Sequence, residues 1–231
     1  MERDYRRTWS SALGRDMEIL RFGTKGRPLV AFPTSQGRFY QWEDFGLVES
    51  VAARIDSGEL NLWCVDTVDS ESWYAPTRPP AERVARHLEY ERYLVQELFK
   101  EIGQRPVCAG PSFGAFHAAL LALRHPDRVL GFISLSGVYD PSRWLDGYSD
   151  ESTYLTNPLA FVPNLTDERY LTPLRDLPCK VIVTGETDPN VRDSLALADA
   201  LRQRGVGVKL DLWPGWAHDW QYWKEMLRIY A

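Results

Sequence analysis

At 231 residues, with 44% hydrophobic and 26% charged side chains, the chain is long enough to fill one core and fits a single domain over residues 1–231. A formal net charge of −5 leaves no electrostatic footprint for nucleic acid, and neither a basic amphipathic run nor a stretch of about 18 apolar residues points to a membrane, so a small molecule is the expected partner. The charged start Met1-Glu2-Arg3-Asp4-Tyr5-Arg6-Arg7 lacks the apolar region of a secretion signal, and Cys64, Cys108 and Cys179 have no metal-like spacing and read as free thiols; a cytoplasmic protein without a metal site is expected.

Residues 7–11 and 17–22 read as two extended segments around Leu13-Gly14-Arg15-Asp16, which predicts an antiparallel hairpin at a sheet edge. Pro28-Leu29-Val30-Ala31-Phe32 is a short buried strand. The polar, turn-prone loop Pro33-Thr34-Ser35-Gln36-Gly37-Arg38 follows at its carboxyl end, where sheets of this class bind ligands. Residues 52–60 close a short helical segment, and Asn61-Leu62-Trp63-Cys64-Val65 is the next strand, followed by the polar stretch 66–72 and then Trp73 and Tyr74. Between residues 81 and 102 the apolar positions Val84, Leu88, Leu94, Val95, Leu98, Phe99 and Ile102 recur at helical spacing, and Gly103 supplies a stop. His87 lies near that stripe and reads as a packing histidine.

The stretch Val107-Cys108-Ala109-Gly110-Pro111-Ser112-Phe113-Gly114-Ala115-Phe116-His117-Ala118-Ala119-Leu120 reads as a buried strand, a sharp turn and an apolar helix. Its centre, Gly110-Pro111-Ser112-Phe113-Gly114, has the G-x-S-x-G pattern of a nucleophile elbow, in which a serine stands at the tip of a strained strand-to-helix turn. The glycines have a steric cause: residues two before and two after the serine approach so closely that a Cβ would clash. Free N–H groups at the start of the helix then face the place where a carbonyl oxygen gathers charge.

Beyond the elbow, residues 129–135 form another strand. Residues 138–178, with five prolines and many aromatics, break the strand–helix rhythm as an irregular insert or cap. Strands resume at 180–184 and 208–213, a helix spans 193–204, and Asp219 caps a final helix to about Ile229. Strands alternating with helices imply a mostly parallel central sheet flanked by helices on both faces.

A serine hydroxyl needs a base to take its proton and a third group to orient that base. Among His87, His117, His125 and His218, the last sits in the loop Gly215-Trp216-Ala217-His218-Asp219 after the final strand, at the same sheet edge as Ser112, whereas His117 and His125 lie on and beyond the elbow helix. The acid is expected after an intermediate strand, where Gly185-Glu186-Thr187-Asp188-Pro189-Asn190 offers two carboxylates. Asp188 is favoured because it stands further from the strand, where the returning loop with His218 must pass; Glu186 and, less so, Asp140 are alternatives. Trp73, Tyr74, Phe113, Trp216 and Trp220 crowd the expected site and predict a small acyl pocket.

The pieces Phe32-Pro33-Thr34-Ser35, Gly110-Pro111-Ser112-Phe113-Gly114-Ala115-Phe116-His117-Ala118-Ala119, Arg124-His125-Pro126-Asp127 and Ala217-His218-Asp219-Trp220 resemble those of small bacterial esterases of the α/β-hydrolase superfamily, in the branch that includes esterase D and the mycolyltransferase antigens. The resemblance covers most of the chain and is weakest across 138–178. It implies the α/β-hydrolase fold, a Ser112, Asp188 and His218 triad, and an oxyanion hole from the backbone N–H groups of Phe113 and Ser35. The departure is the first loop, where Pro33-Thr34-Ser35 replaces the usual His-Gly. The expected activity is serine carboxylic-ester hydrolysis of small esters through an acyl-enzyme, without cofactor; an acyltransferase or a non-catalytic binding protein of the same fold are the rival readings.

Overall fold

A computed structural model describes residues 1–231. Eight strands, β1 (Arg3–Ser10), β2 (Arg15–Phe22), β3 (Arg27–Ala31), β4 (Leu60–Val65), β5 (Val107–Pro111), β6 (Gly131–Leu135), β7 (Cys179–Gly185) and β8 (Lys209–Trp213), form one sheet in the order β1-β2-β4-β3-β5-β6-β7-β8. From β4 across to β8 all neighbours are parallel, while β2 runs antiparallel to both β1 and β4. The N-terminal hairpin is therefore present, and β1 begins earlier than residues 7–11: Arg3 pairs with Phe22 and the ladder continues to Ser10 opposite Arg15. The charged start conceals a strand because β1 is an edge and its side chains remain largely in water.

Side chains alternate between two cores on opposite faces of the sheet. Val30, Phe32, Cys108, Phe132 and Ile182 enter one, and Leu29, Ala31, Val107, Ala109, Val181 and Val183 enter the other. The first is covered by α1 (Pro80–Tyr93), α2 (Phe113–Arg124) and α4 (Val191–Gln203); the second by α5 (Trp220–Tyr230) and the short helices within residues 41–56, with α3 (Glu168–Asp176) belonging to the insert. Burial on both faces explains why the parallel strands read as continuous apolar runs. The helix that starts as α1 passes through a π-helical turn, Leu94–Leu98, and ends at Ile102, with Gly103 in the left-handed region at φ 72°. Asp219 caps α5 by accepting from the Gln221 amide at 3.1 Å.

Residues 138–178 connect β6 to β7 as a chain of short helical turns. Glu151–Leu155 packs on α1, while Pro158–Phe161 and the turn Val162–Asn164 pack on α4, so most of this segment lies on the helical layer. Cys64, Cys108 and Cys179 are free thiols, and burial pushes the Cys64 and Cys108 groups well above the ordinary thiol range. No helix is long and apolar enough to cross a membrane.

Candidate active site

The turn between β5 and α2 holds Ser112 at φ 56°, ψ −117°, a conformation that L residues rarely occupy and that surrounding contacts must enforce. Those contacts are specific. The Ser112 amide donates to the Leu135 carbonyl at the end of β6 at 2.8 Å. A Cβ on Gly110 would overlap the Gly114 carbonyl, and one on Gly114 would come within 2.6 Å of the Phe32 carbonyl oxygen. The first glycine lets the turn close; the second lets the start of α2 seat against the end of β3. Ser112 itself is partly exposed, while Phe113 is fully buried.

His218 and Asp188 meet at the same carboxyl edge of the sheet. The His218 Nδ1 lies 3.1 Å from both carboxylate oxygens of Asp188, whose side chain has no exposed surface, while the imidazole is one-fifth exposed. The Asp188 carboxylate is oriented by the Asn190 amide, which donates to Oδ1 at 2.8 Å, and the Asn190 side-chain amide donates to the Ser136 carbonyl after β6 at 3.1 Å. The two loops are stitched together through their backbones: Glu186 N–H donates to the Trp213 carbonyl at 2.8 Å, and Thr187 N–H to the Gly215 carbonyl at 3.1 Å. Gly185 is needed for that approach, since a Cβ there would lie 2.6 Å from the Ala217 nitrogen. With Nδ1–H committed to Asp188, the other ring nitrogen, Nε2, is left as the acceptor. Glu186 is exposed and makes no bond to His218. No hydrogen bond joins Ser112 to His218; contacts of this kind tighten when substrate is bound.

Across the elbow, residues 34–37 form a tight turn held from several sides. Thr34 N–H donates to Gln41 Oε1 at 2.7 Å, Gly37 N–H to the Thr34 carbonyl at 2.9 Å, and Gln36 N–H to Asp69 Oδ2 at 3.1 Å. Of the four amides, that of Ser35 alone has no acceptor. The Phe113 amide, first in α2, has none either, as the opening turn of a helix dictates. Tyr74 donates its hydroxyl to Ser35 Oγ at 2.8 Å, and burial pushes its phenol up, so the group stays a donor.

The aromatic wall beside the elbow is made by Tyr74 and Trp144, whose rings meet Phe113 edge-on at 5.4 Å and 5.0 Å. Trp216, half-exposed, and Trp223 flank the His218 ring. A cavity of about 460 Å³ lies elsewhere: Leu123, Arg124, Leu155, Phe161 and Tyr170 line it at the far end of α2, about 16 Å along the helix from the elbow. No three His, Cys, Asp or Glu side chains converge as a metal-ligand set.

A family model described as alpha/beta hydrolase fold matches residues 81–222. The chain belongs to the α/β-hydrolase fold family. By sequence, no curated protein matches this α/β-hydrolase. By structure it is similar to a ferulic acid esterase, with a TM-score of 0.76 at 18% identity over 99% of this chain and 95% of that one. It is also similar to S-formylglutathione hydrolases from Agrobacterium tumefaciens (TM-score 0.76, 16% identity, 98% and 92% covered) and Staphylococcus aureus (TM-score 0.72, 16% identity, 99% and 94% covered). At these identities the likeness is one of fold.

Within the α/β-hydrolase sheet, Ser112, Asp188 and His218 follow β5, β7 and β8, and Ser35 follows β3, so four separate strand ends bring them to one edge. Trp73 is not on the pocket wall. It is 1% exposed and packs against His87 and Phe116 in the core, because consecutive aromatic residues in a tight turn point to opposite sides and Tyr74 takes the site side. Trp220 stacks on Phe45 at 4.2 Å rather than on His218. Three residues assigned no role from the sequence matter here: Trp144, from the start of the insert, and the buried pair Asp69 and His117, the histidine having been set aside as a base. The apolar run of α2 hides His117 as a helix-face residue, and Asp69 sits in a stretch that is polar throughout.

Proposed function

We propose that this α/β-hydrolase is a serine carboxylic-ester hydrolase acting on small esters through an acyl-enzyme, with Ser112 as nucleophile, His218 as general base and Asp188 as its orienting acid. The observation that carries the reading is the buried Asp188 carboxylate on His218 Nδ1, which in the neutral ring makes Nε2 the acceptor, at the sheet edge that also bears the strained Ser112 turn. A neutral imidazole so oriented takes the Ser112 proton as Oγ attacks the ester carbonyl, and the imidazolium returns that proton to the departing alkoxide. Water, deprotonated by the same nitrogen, then attacks the acyl-enzyme and releases the carboxylic acid with Ser112 restored. The tetrahedral oxyanion of each half-reaction is received by the N–H groups of Phe113 and Ser35, both of which lack acceptors; fixed donors of this kind lower the barrier because they need no reorganisation as charge develops.

A panel of p-nitrophenyl esters of increasing acyl length, assayed with the wild type and Ser112→Ala, tests the reading. The expected result is an initial burst and steady turnover by the wild type, and loss of about 10³-fold or more in kcat for the alanine variant with its thermal midpoint nearly unchanged. Retention of more than about a tenth of the activity would remove Ser112 from the mechanism. Water as the acyl acceptor is checked by adding a simple alcohol: an acyltransferase would divert most of the acyl group to it.

A further inference from the structure

We propose that Asp69 and His117 are positioning residues that hold the Ser35 amide at the oxyanion site; the proposal rests on the esterase reading above. His117, five residues beyond Ser112 on α2, places Nε2 2.9 Å from Asp69 Oδ1, and the two side chains are 3% and 1% exposed as residues. The other carboxylate oxygen of Asp69 accepts the Gln36 amide at 3.1 Å. One buried carboxylate thus ties the nucleophile helix to the residue directly after Ser35.

The consequence for Ser35 follows from peptide geometry. In a trans peptide the Ser35 N–H points opposite to the Thr34 carbonyl, which the Gly37 amide holds at 2.9 Å. Gln36 has φ 55°, in the left-handed region where a glutamine persists only if its neighbours enforce it. The Asp69 bond is the side-chain contact made to the Gln36 amide, and without it the turn can relax toward negative φ and swing the Ser35 N–H away. His117 holds Asp69 in turn, and its own ring is caged by Phe32, His87, Tyr90 and Phe113 at centroid distances of 5.1 to 5.7 Å. Burial on this scale is costly for a carboxylate unless its hydrogen bonds are made, and both of its oxygens are engaged.

The test compares Asp69→Ala, Asp69→Asn and His117→Phe with the wild type, measuring kcat and KM on a p-nitrophenyl ester, affinity for a trifluoromethyl ketone that forms a tetrahedral adduct, and the thermal midpoint. Asp69→Ala and His117→Phe are expected to lower kcat by ~10- to 100-fold with KM within ~3-fold, and to weaken the ketone in the same proportion, since only the tetrahedral species uses the oxyanion donor. Asp69→Asn is expected within ~5-fold of wild type, because its carbonyl can accept from Gln36 while its NH2 group donates to the other histidine tautomer. Folded Asp69→Ala and His117→Phe proteins with wild-type kcat overturn the proposal, as does a uniform loss in kcat and ketone affinity that tracks the folded fraction. If Asp69→Ala does not fold, His117→Phe, which keeps an aromatic ring in the cage, decides alone. An active Ser112→Ala protein would instead bring down the esterase reading itself, so the two failures are separable.

Discussion

The Asp188 carboxylate offers both of its oxygens to His218 Nδ1 at 3.1 Å, although 30 residues separate the two in the chain. The equal distances make this a pairing in which the ring N–H is shared between two acceptors, and the Asn190 amide keeps the carboxylate from turning away. Glu186, two residues earlier on the same turn, is exposed.

Substitution separates the two acids. Asp188→Asn should lower kcat by at least ~10²-fold, since an amide facing Nδ1 favours the wrong imidazole tautomer. Glu186→Gln should cost less than ~10-fold. Steady-state kinetics on one p-nitrophenyl ester suffices, and the reverse ranking would move the orienting role to Glu186.

The rate should fall on acidification, because His218 takes a proton only when it is neutral. The sign is fixed by the mechanism: protonation of Nε2 removes the base. Profiles of kcat/KM from about pH 8 down to about pH 5, with folding followed by circular dichroism, check this; a flat profile from a folded enzyme would exclude histidine as the base.

His87 gives stability its own pH dependence. Burial, and next the charge of neighbouring His117, push the His87 imidazole down from 6.5 to about 3, and neither ring nitrogen has a partner. Between those values the unfolded chain binds a proton that the folded one refuses, so stability falls as pH drops below about 6.5, by up to about 1.4 kcal/mol per pH unit from this residue. The groups around it are Trp73, Phe116 and His117, with Glu91 and Arg124 acting at longer range. His87→Phe should flatten the decline in thermal midpoint between pH 6.5 and about 4.5, and unchanged slopes would show that this histidine is not the source.

Acyl length is the fourth measurement. Tyr74, Phe113 and Trp144 meet edge to face beside Ser112, and the large cavity at the far end of α2 does not include the nucleophile. Acetyl to butyryl esters should therefore have a higher kcat/KM than decanoyl esters. A clear preference for decanoyl would mean that the wall opens into a longer channel.

The parts of the site that were legible in the sequence are those encoded by neighbours in the chain. The Gly110 and Gly114 spacing reports a local collision, and Ser112, Asp188 and His218 each sit in a segment that follows a parallel strand, so the order of strands was enough to set all three at one sheet edge. Asp69 and His117 illustrate the opposite case. They are 48 residues apart, and their bond exists only because the sheet order sets β4 next to β3 and β3 next to β5. Trp73 misled for a related reason: exposure at a turn depends on which way a Cβ points, and two adjacent aromatics carry the same signal in composition while one faces the core and the other the site. The early start of β1 was hidden because an edge strand needs no apolar face to be paired.

That edge has a consequence for the behaviour of many copies together. A sheet open at both sides presents unpaired backbone groups along β1 and β8, which is the geometry that invites strands of neighbouring molecules to add on. Here the outer strand on one side carries Arg3, Arg6 and Arg7, engaged with Glu43, Glu101 and Asp16, and Asp4, engaged with Arg6, and the other side carries Lys209 and Asp211, engaged with Tyr230. A second molecule docking strand to strand would have to strip water from these ions and break their pairs before its first ladder hydrogen bond formed. The charge that conceals the start of β1 in the sequence thus also sets a desolvation cost against the addition of a ninth strand at that edge.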